Sequence, residues 1–281
     1  MRKLRYLIEA SLVRSLIFIF SLMSPAKASD LGGAILGAIG PLLSSSRKAL
    51  RHITDSIHVD GKESHKILRK MWNNLGRNFA EYPHLYNLTE HHVTLEGAEN
   101  LEGIPQSSGP AIFFSAHLAN WEIAAPSLRL QNIDVDLIYR APNNPYVEDI
   151  LQKCRSMNGT LRTYPKSSQG MRQVVSALKQ GRRIGILIDQ KYNQGVEADF
   201  FRRPAMTSTA FIQLAKKFKC PLIPVRVERL DGAEFRVTVY PSLDLSKEDD
   251  VLLKEAHTML ENWITERPAQ WLWLHKRWKN Q

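Results

Sequence analysis

Pro110-Ala-Ile-Phe-Phe-Ser-Ala-His-Leu-Ala-Asn-Trp-Glu122 carries an unbroken apolar run into a polar turn. Ala111–Ala116 has the length and composition of a strand buried on both faces, the kind that parallel sheets require. The turn sets His117 and Glu122 at the carboxyl end of that strand, where open α/β sheets hold their ligands. Five residues apart, the two would not stack on one continuous helix. A strand end bending into a helix can bring them together. A His beside a carboxylate makes a general base, because the acid fixes the tautomer and stabilises the imidazolium that forms. Asn120 suits the N-cap of the following helix. A first-turn Glu122 also fits the positive end of the helix dipole without any catalytic role.

The same grammar recurs downstream. Asp136–Arg140 and Arg183–Asp189 are short runs of β-formers, separated by helical stretches near 120–131, 144–157 and 168–180. Strand alternating with helix predicts an α/β fold with a mostly parallel mixed sheet flanked by helices. A helix at 208–219 follows. Strands Leu222–Leu230 and Phe235–Tyr240 come next, joined by Asp231-Gly232, the dipeptide favoured in type I′ hairpins. A helix near 247–267 precedes the tail, and residues 46–96 read as basic and helical.

Three of these strands are expected side by side, each with polar residues at its exit. The second exit holds Tyr139, Arg140 and Asn144, with Arg155 one helix later. Two arginines near a base form a clamp for phosphate or a donor to a developing oxyanion; the plainer reading of Arg155 is a surface pair with Glu148 or Asp149. The third exit is Asp189-Gln190-Lys191, followed by Phe200-Phe-Arg-Arg203-Pro-Ala-Met-Thr207. An acid ending an apolar strand is costly to bury unpaired, so Asp189 should have a partner such as an Arg.

A net charge of +10, from 38 Lys and Arg against 28 acids, favours an anionic partner: lipid headgroups, phosphorylated substrates or nucleic acid. Two distant cysteines exclude a disulfide framework and a cysteine-rich zinc site. No GxxxxGK[ST] or GxGxxG is present, and HxxxxE lacks the HExxH spacing, so neither a nucleotide cofactor nor a metal is expected. At the amino terminus, basic Arg2, Lys3 and Arg5 precede the apolar run Leu16–Met23 and then Ala26-Lys-Ala28, an order that imitates a secretory signal peptide. A second apolar segment, Leu31–Leu43, follows at once. Neither run reaches the ~20 apolar residues of a clean crossing. Residues 1–45 therefore read as a membrane anchor, a hairpin or interfacial helix, and 46–281 as the α/β domain. The tail Pro268-Ala-Gln-Trp-Leu-Trp-Leu-His-Lys-Arg-Trp-Lys279 interleaves rings with cations. That mixture suits a membrane interface or nucleobase stacking, and equally a terminal helix packing its tryptophans inward.

Taken in order, five blocks resemble the bacterial lipid A biosynthesis acyltransferases, the lauroyl or myristoyl type of the lysophospholipid acyltransferase superfamily. They are His117-Leu-Ala-Asn-Trp-Glu122, Tyr139-Arg140 with Asn144-Pro145, Gly181 with Asp189-Gln190, Phe200-Phe201 with Pro204-Ala205 and Thr207, and Gln270-Trp-Leu-Trp-Leu-His275-Lys-Arg-Trp278. The resemblance implies that His117 is the general base with Glu122 as its support, and that Arg155 and Asp189 take part in catalysis. Asn120, Tyr139, Arg140, Asn144, Gln190 and Arg203 are the accompanying candidates for substrate contact. It also implies acyl carrier protein as donor, a phosphorylated, Kdo-bearing lipid A precursor as acceptor, and work on membrane lipid at the cytoplasmic face of the inner membrane. No nucleic-acid partner is implied. Another glycolipid or phospholipid acceptor is the alternative reading. Two positions depart from the family pattern: Arg202, where Gly is common, and Ala269, where Glu is common.

Overall fold

The computed structural model describes residues 2–102, 104, 109–155 and 161–278. In chain order its helices are α1 (Arg2–Ser21), α2 (Pro25–Ile39), α3 (Ser45–Ile57), α4 (Gly61–Glu81), α5 (Leu85–His91), α6 (Ala124–Arg129), α7 (Pro145–Arg155), α8 (Ser168–Lys179), α9 (Ala210–Phe218) and α10 (Asp249–Glu266). The strands are β1 (Val93–Glu96), β2 (Ala111–Ser115), β3 (Val135–Tyr139), β4 (Thr163–Pro165), β5 (Arg183–Leu187), β6 (Val196–Phe200), β7 (Arg203–Thr207), β8 (Leu222–Arg229) and β9 (Phe235–Val239). Residues 156–157 of the helix expected near 144–157 and Lys279 of the tail lie outside the described residues.

Seven strands form one sheet in the order β1-β9-β8-β2-β5-β3-β4. Every pairing is parallel except β8 with β9. The expected α/β architecture stands, and β2, β5 and β3 are neighbours, so their three exits share one edge. All five residues of β2 are buried because each face of the sheet carries a core. Ile112 and Phe114 point into the core built with α3, α4, α8, α9 and α10, while Ala111 and Phe113 point into the one under α5 and α6.

Two turns differ from expectation. The β8–β9 connection is longer than a two-residue hairpin: Arg229 pairs with Phe235, Glu234 N–H donates to the Asp231 carbonyl, and of the two turn residues only Gly232 has positive φ. The tight hairpin joins β6 and β7 instead. There Phe201 and Arg202 take φ of 54° and 55° between the paired residues Phe200 and Arg203. Two consecutive positive φ values are what a type I′ turn needs. A Gly at position 202 would meet that demand without strain, and Arg202 meets it at some cost.

At the amino end, α2 lies along α4 with glycine at the crossing. A Cβ on Gly76 would stand 2.1 Å from the Gly32 carbonyl oxygen, and one on Gly32 would stand 2.5 Å from Ala80 Cβ. Ala28, inside the signal-like Ala26-Lys-Ala28, is fully buried in α2. In contrast, α1 leaves Leu4, Ile8, Leu12, Leu16, Phe18 and Ile19 exposed, and α2 adds Leu31, Ile35 and Ile39. Among the described residues no helix is long and apolar enough to cross a membrane. The tail is not a helix. After a 3-10 turn at Pro268–Gln270 it bridges Leu118 at Trp271, beyond the end of β2, and then turns at 273–274, with Trp271, Trp273 and Trp278 all buried.

Gly76→Ala should lower the unfolding free energy by about 1–3 kcal/mol, the usual cost of overpacking a tight contact. Urea denaturation of the full chain checks this. An unchanged midpoint would mean that the α2–α4 contact is loose.

Candidate active site

The site begins where β2 stops. His117 and the residues after it form a turn held on three sides. Leu272 N–H donates to the His117 carbonyl, and Ala119 N–H donates to the Gln270 carbonyl. The Ala119 carbonyl accepts from the amides of Asn74 and Asn78 on α4. These bonds hold Ala119 at φ 48°, a conformation that alanine rarely adopts unaided. Asn120 is wholly buried; it accepts from Glu122 N–H and donates to Glu81 Oε2 at 2.8 Å.

The ring of His117 is oriented by Asp189 and not by Glu122. Nδ1 lies 2.8 Å from Asp189 Oδ1, and the His117 backbone N–H donates to Oδ2 at 3.0 Å. Trp271 Nε1–H completes the set at 2.7 Å from Oδ2. Burial works to raise the Asp189 carboxyl, but the charge and hydrogen bond of His117, with Trp271 helping, hold it well below the usual carboxylate range. A buried carboxylate that accepts only makes Nδ1 the protonated nitrogen, which leaves Nε2 with its lone pair toward the cavity. The amide of Gln190 reaches that nitrogen at 3.2 Å and His275 Nε2 at the same distance. The two imidazoles stand edge to face at 4.9 Å, and Trp121 flanks His117 at 5.1 Å.

Glu122 has its own partners. Arg155 grips it in a two-pronged salt bridge, Nε to Oε2 at 2.7 Å and Nη2 to Oε1 at 2.6 Å. Tyr82 O–H donates to Oε1 at 2.8 Å, and Trp121 Nε1–H lies 3.2 Å from the same oxygen. Burial pushes this carboxyl up, but the Arg155 charge and hydrogen bonds outweigh it and lower it overall. The expected His117–Glu122 contact is therefore corrected: a guanidinium outcompetes a neutral imidazole for a buried acid. The expected Arg partner of Asp189 is likewise replaced by His117 and Trp271. Arg155 does not face Glu148 or Asp149. It points inward, with its charge 5.3 Å from the Tyr139 ring centre and Nη1 buried without a hydrogen-bond partner among the described residues.

One cavity of about 310 Å³ unites these groups, within the range of small-molecule sites. His117, Glu122, Tyr139, Arg140, Arg155 and Gln190 line it, together with Tyr82, Trp121, Lys166 and His275. Its inner wall is apolar: Phe113, Val135, Leu137 and Gly185 from the sheet, and Ala125 and Leu128 from α6. A Cβ on Gly185 would come within 2.8 Å of Leu137 and 3.1 Å of Val135.

Three expected substrate contacts lie elsewhere. Asn144 caps α7 and donates to the Tyr6 carbonyl at 2.8 Å and to Glu9 Oε2 at 2.9 Å, fastening α1 to the domain. Arg203 stacks on Trp278 at 4.2 Å and faces Asp55. Asn120 is occupied within the Glu81 network. Sequence reasoning assigned no role to Tyr82, Lys166 or His275. Only His275 had a signal, as the one imidazole in the aromatic tail block.

His117 and Asp189 thus form an imidazole–carboxylate pair at the carboxyl edge of the parallel strands, opening on an apolar slot. Residues 1–280 match the family model of bacterial lipid A biosynthesis acyltransferases. The chain belongs to that family and is an acyltransferase of lipid A biosynthesis. Among similar proteins are the lipid A biosynthesis palmitoleoyltransferase of Escherichia coli (strain K12) and the lipid A biosynthesis acyltransferase of Shigella flexneri. Each is 20% identical over 229 residues, covering 78% of this chain and 74% of the relative.

The site also sets a pH dependence of stability. Burial lowers His275 at the cavity, and likewise His257 beside Phe200 and Arg277, from 6.5 to about 4. The unfolded chain binds these protons below about 6.5, whereas the folded one resists to about 4. Stability is thus whole above 6.5 and falls as pH drops through that window. His257→Gln should flatten the slope of unfolding free energy between pH 6.5 and 4 in urea titrations; an unchanged slope would contradict a neutral buried His257.

Proposed function

We propose that His117, held by Asp189, is the general base that transfers an acyl chain from an acyl carrier protein thioester to a hydroxyl of a Kdo-lipid A precursor. The observation that carries this reading is His117 Nε2 facing a cavity whose inner wall is apolar. The acceptor hydroxyl replaces the Gln190 amide at Nε2, gives up its proton and attacks the thioester carbonyl. Collapse of the tetrahedral intermediate expels the thiolate, which takes the proton back from the imidazolium. Asp189 stabilises that imidazolium. Arg155, fixed by Glu122 and Tyr82, supplies positive charge toward the oxyanion from its unpartnered Nη1. No covalent enzyme intermediate and no cofactor is required.

The acyl chain lies between α6 and the sheet, over Gly185. The exposed apolar residues of α1 and α2 rest in the membrane interface, with the site at the cytoplasmic face of the inner membrane. Two short helices that each dock on the domain and leave apolar residues exposed suit attachment to the bilayer surface. The +10 charge favours both anionic lipid and an acidic carrier protein.

Purified protein in detergent, given acyl carrier protein thioesters and a tetra-acylated precursor, should add one acyl chain by mass. His117→Ala and Asp189→Asn should each lower the rate by about 10²–10⁴-fold with the fold intact by circular dichroism. Gly185→Leu should shift donor preference to shorter chains by filling the slot. No mass gain beside a working control enzyme would sink the reading, and near-normal rates in Asp189→Asn would remove that carboxylate from the chemistry.

A further inference from the structure

The mouth of the cavity holds two cations that the reaction above does not use. β3 and β4 run parallel with Tyr139 opposite Pro165, and Lys166 N–H donates to the Tyr139 carbonyl at 3.0 Å. The next residue of each strand is a cation, so Arg140 and Lys166 leave the sheet side by side, and both line the cavity that holds His117. Neither makes a salt bridge or a side-chain hydrogen bond with any described residue; Lys166 only lies over the Tyr192 ring at 5.8 Å. Cations elsewhere at the sheet are matched. Arg182 pairs with Asp136, Arg155 with Glu122 and Arg229 with Glu81.

Adjacent unpaired charges of one sign repel, and Lys166 feels it. The residue is exposed, yet the protein around it shields its ammonium enough to lower its pKa, and Arg140 adds to the effect. The Asp189 carboxylate offsets part of this without a salt bridge to Lys166, and an anion placed between the two cations would stabilise the pair directly. A guanidinium fork and a mobile ammonium on one side of a cavity suit a phosphate, which offers oxygens to both.

We propose that Arg140 and Lys166 form a phosphate subsite at the mouth of the catalytic cavity. The phosphate is carried by a substrate, either the sugar phosphate of the acceptor or the phosphopantetheine of the donor. Its source rests on the acyl-transfer reading; the subsite itself does not.

Calorimetric titration of the full chain with glucosamine 1-phosphate and with 4′-phosphopantetheine tests this directly, and it needs no acyl transfer. At least one probe should bind. Arg140→Met and Lys166→Met should each weaken that binding by about 10- to 100-fold, the worth of a charge-assisted hydrogen bond. Lys179→Met, an exposed cation at the opposite edge of the sheet, should leave it unchanged. The probe that responds names the source, and the matching substrate should show a raised KM in the two variants. Lys166→Met should melt no lower than the parent, since a shielded ammonium is removed. No binding of either probe, no weakening in either variant, or equal weakening in Lys179→Met would overturn the subsite. Loss of transfer activity with intact phosphate binding would count against the acyl-transfer reading alone.

Discussion

Asp189 is the buried charge around which the site is assembled. A carboxylate with 1% of its surface exposed is tolerable only when donors replace its water. Its three donors come from two segments: the backbone N–H and ring of His117 after β2, and the indole of Trp271 in the tail. The need to satisfy one acid at the end of β5 therefore orients the His117 ring and draws the tail across the sheet edge. That path brings His275 against His117 and buries Trp273 and Trp278 in the core.

A second buried acid holds the turn from behind. Glu81 on α4 takes Arg229 in a two-pronged salt bridge, with Asn120 and Ser29 as further donors, while Asn74 and Asn78 join Arg229 to the Ala119 carbonyl. Fully satisfied networks of this kind are rigid, and breaking one partner leaves an uncompensated charge. Glu122 completes a third network with Arg155 and Tyr82. Three acids thus have three separate cationic or donor partners. The spacing of His117 and Glu122, which looks like a catalytic dyad, places the acid one network away from the ring.

β2 was legible because a strand buried on both faces must be apolar throughout, and β3 and β5 fall within two residues of their expected bounds. Their adjacency followed from the alternation with helices. Asp189 was legible as an acid in need of a partner, since its cost of burial does not depend on which partner comes. The partner's identity was not legible: Trp271 lies 82 residues away, and nothing local announces that the tail crosses the site. Asn144 and Arg203 misled for a related reason. Their polarity serves packing, one binding α1 and the other covering Trp278. The turn chemistry of Asp231-Gly232 was overridden by the longer loop, and the tight hairpin formed at Phe201-Arg202, which carries no glycine.

The account stands on the tautomer that Asp189 imposes on His117. Nitrogen-15 NMR of the ring-labelled protein at neutral pH reads it directly. The account predicts a protonated Nδ1 and an unprotonated Nε2, with Asp189→Asn disturbing that assignment and Glu122→Gln preserving it. A protonated Nε2 in the parent, or a tautomer that follows Glu122 instead of Asp189, would contradict it.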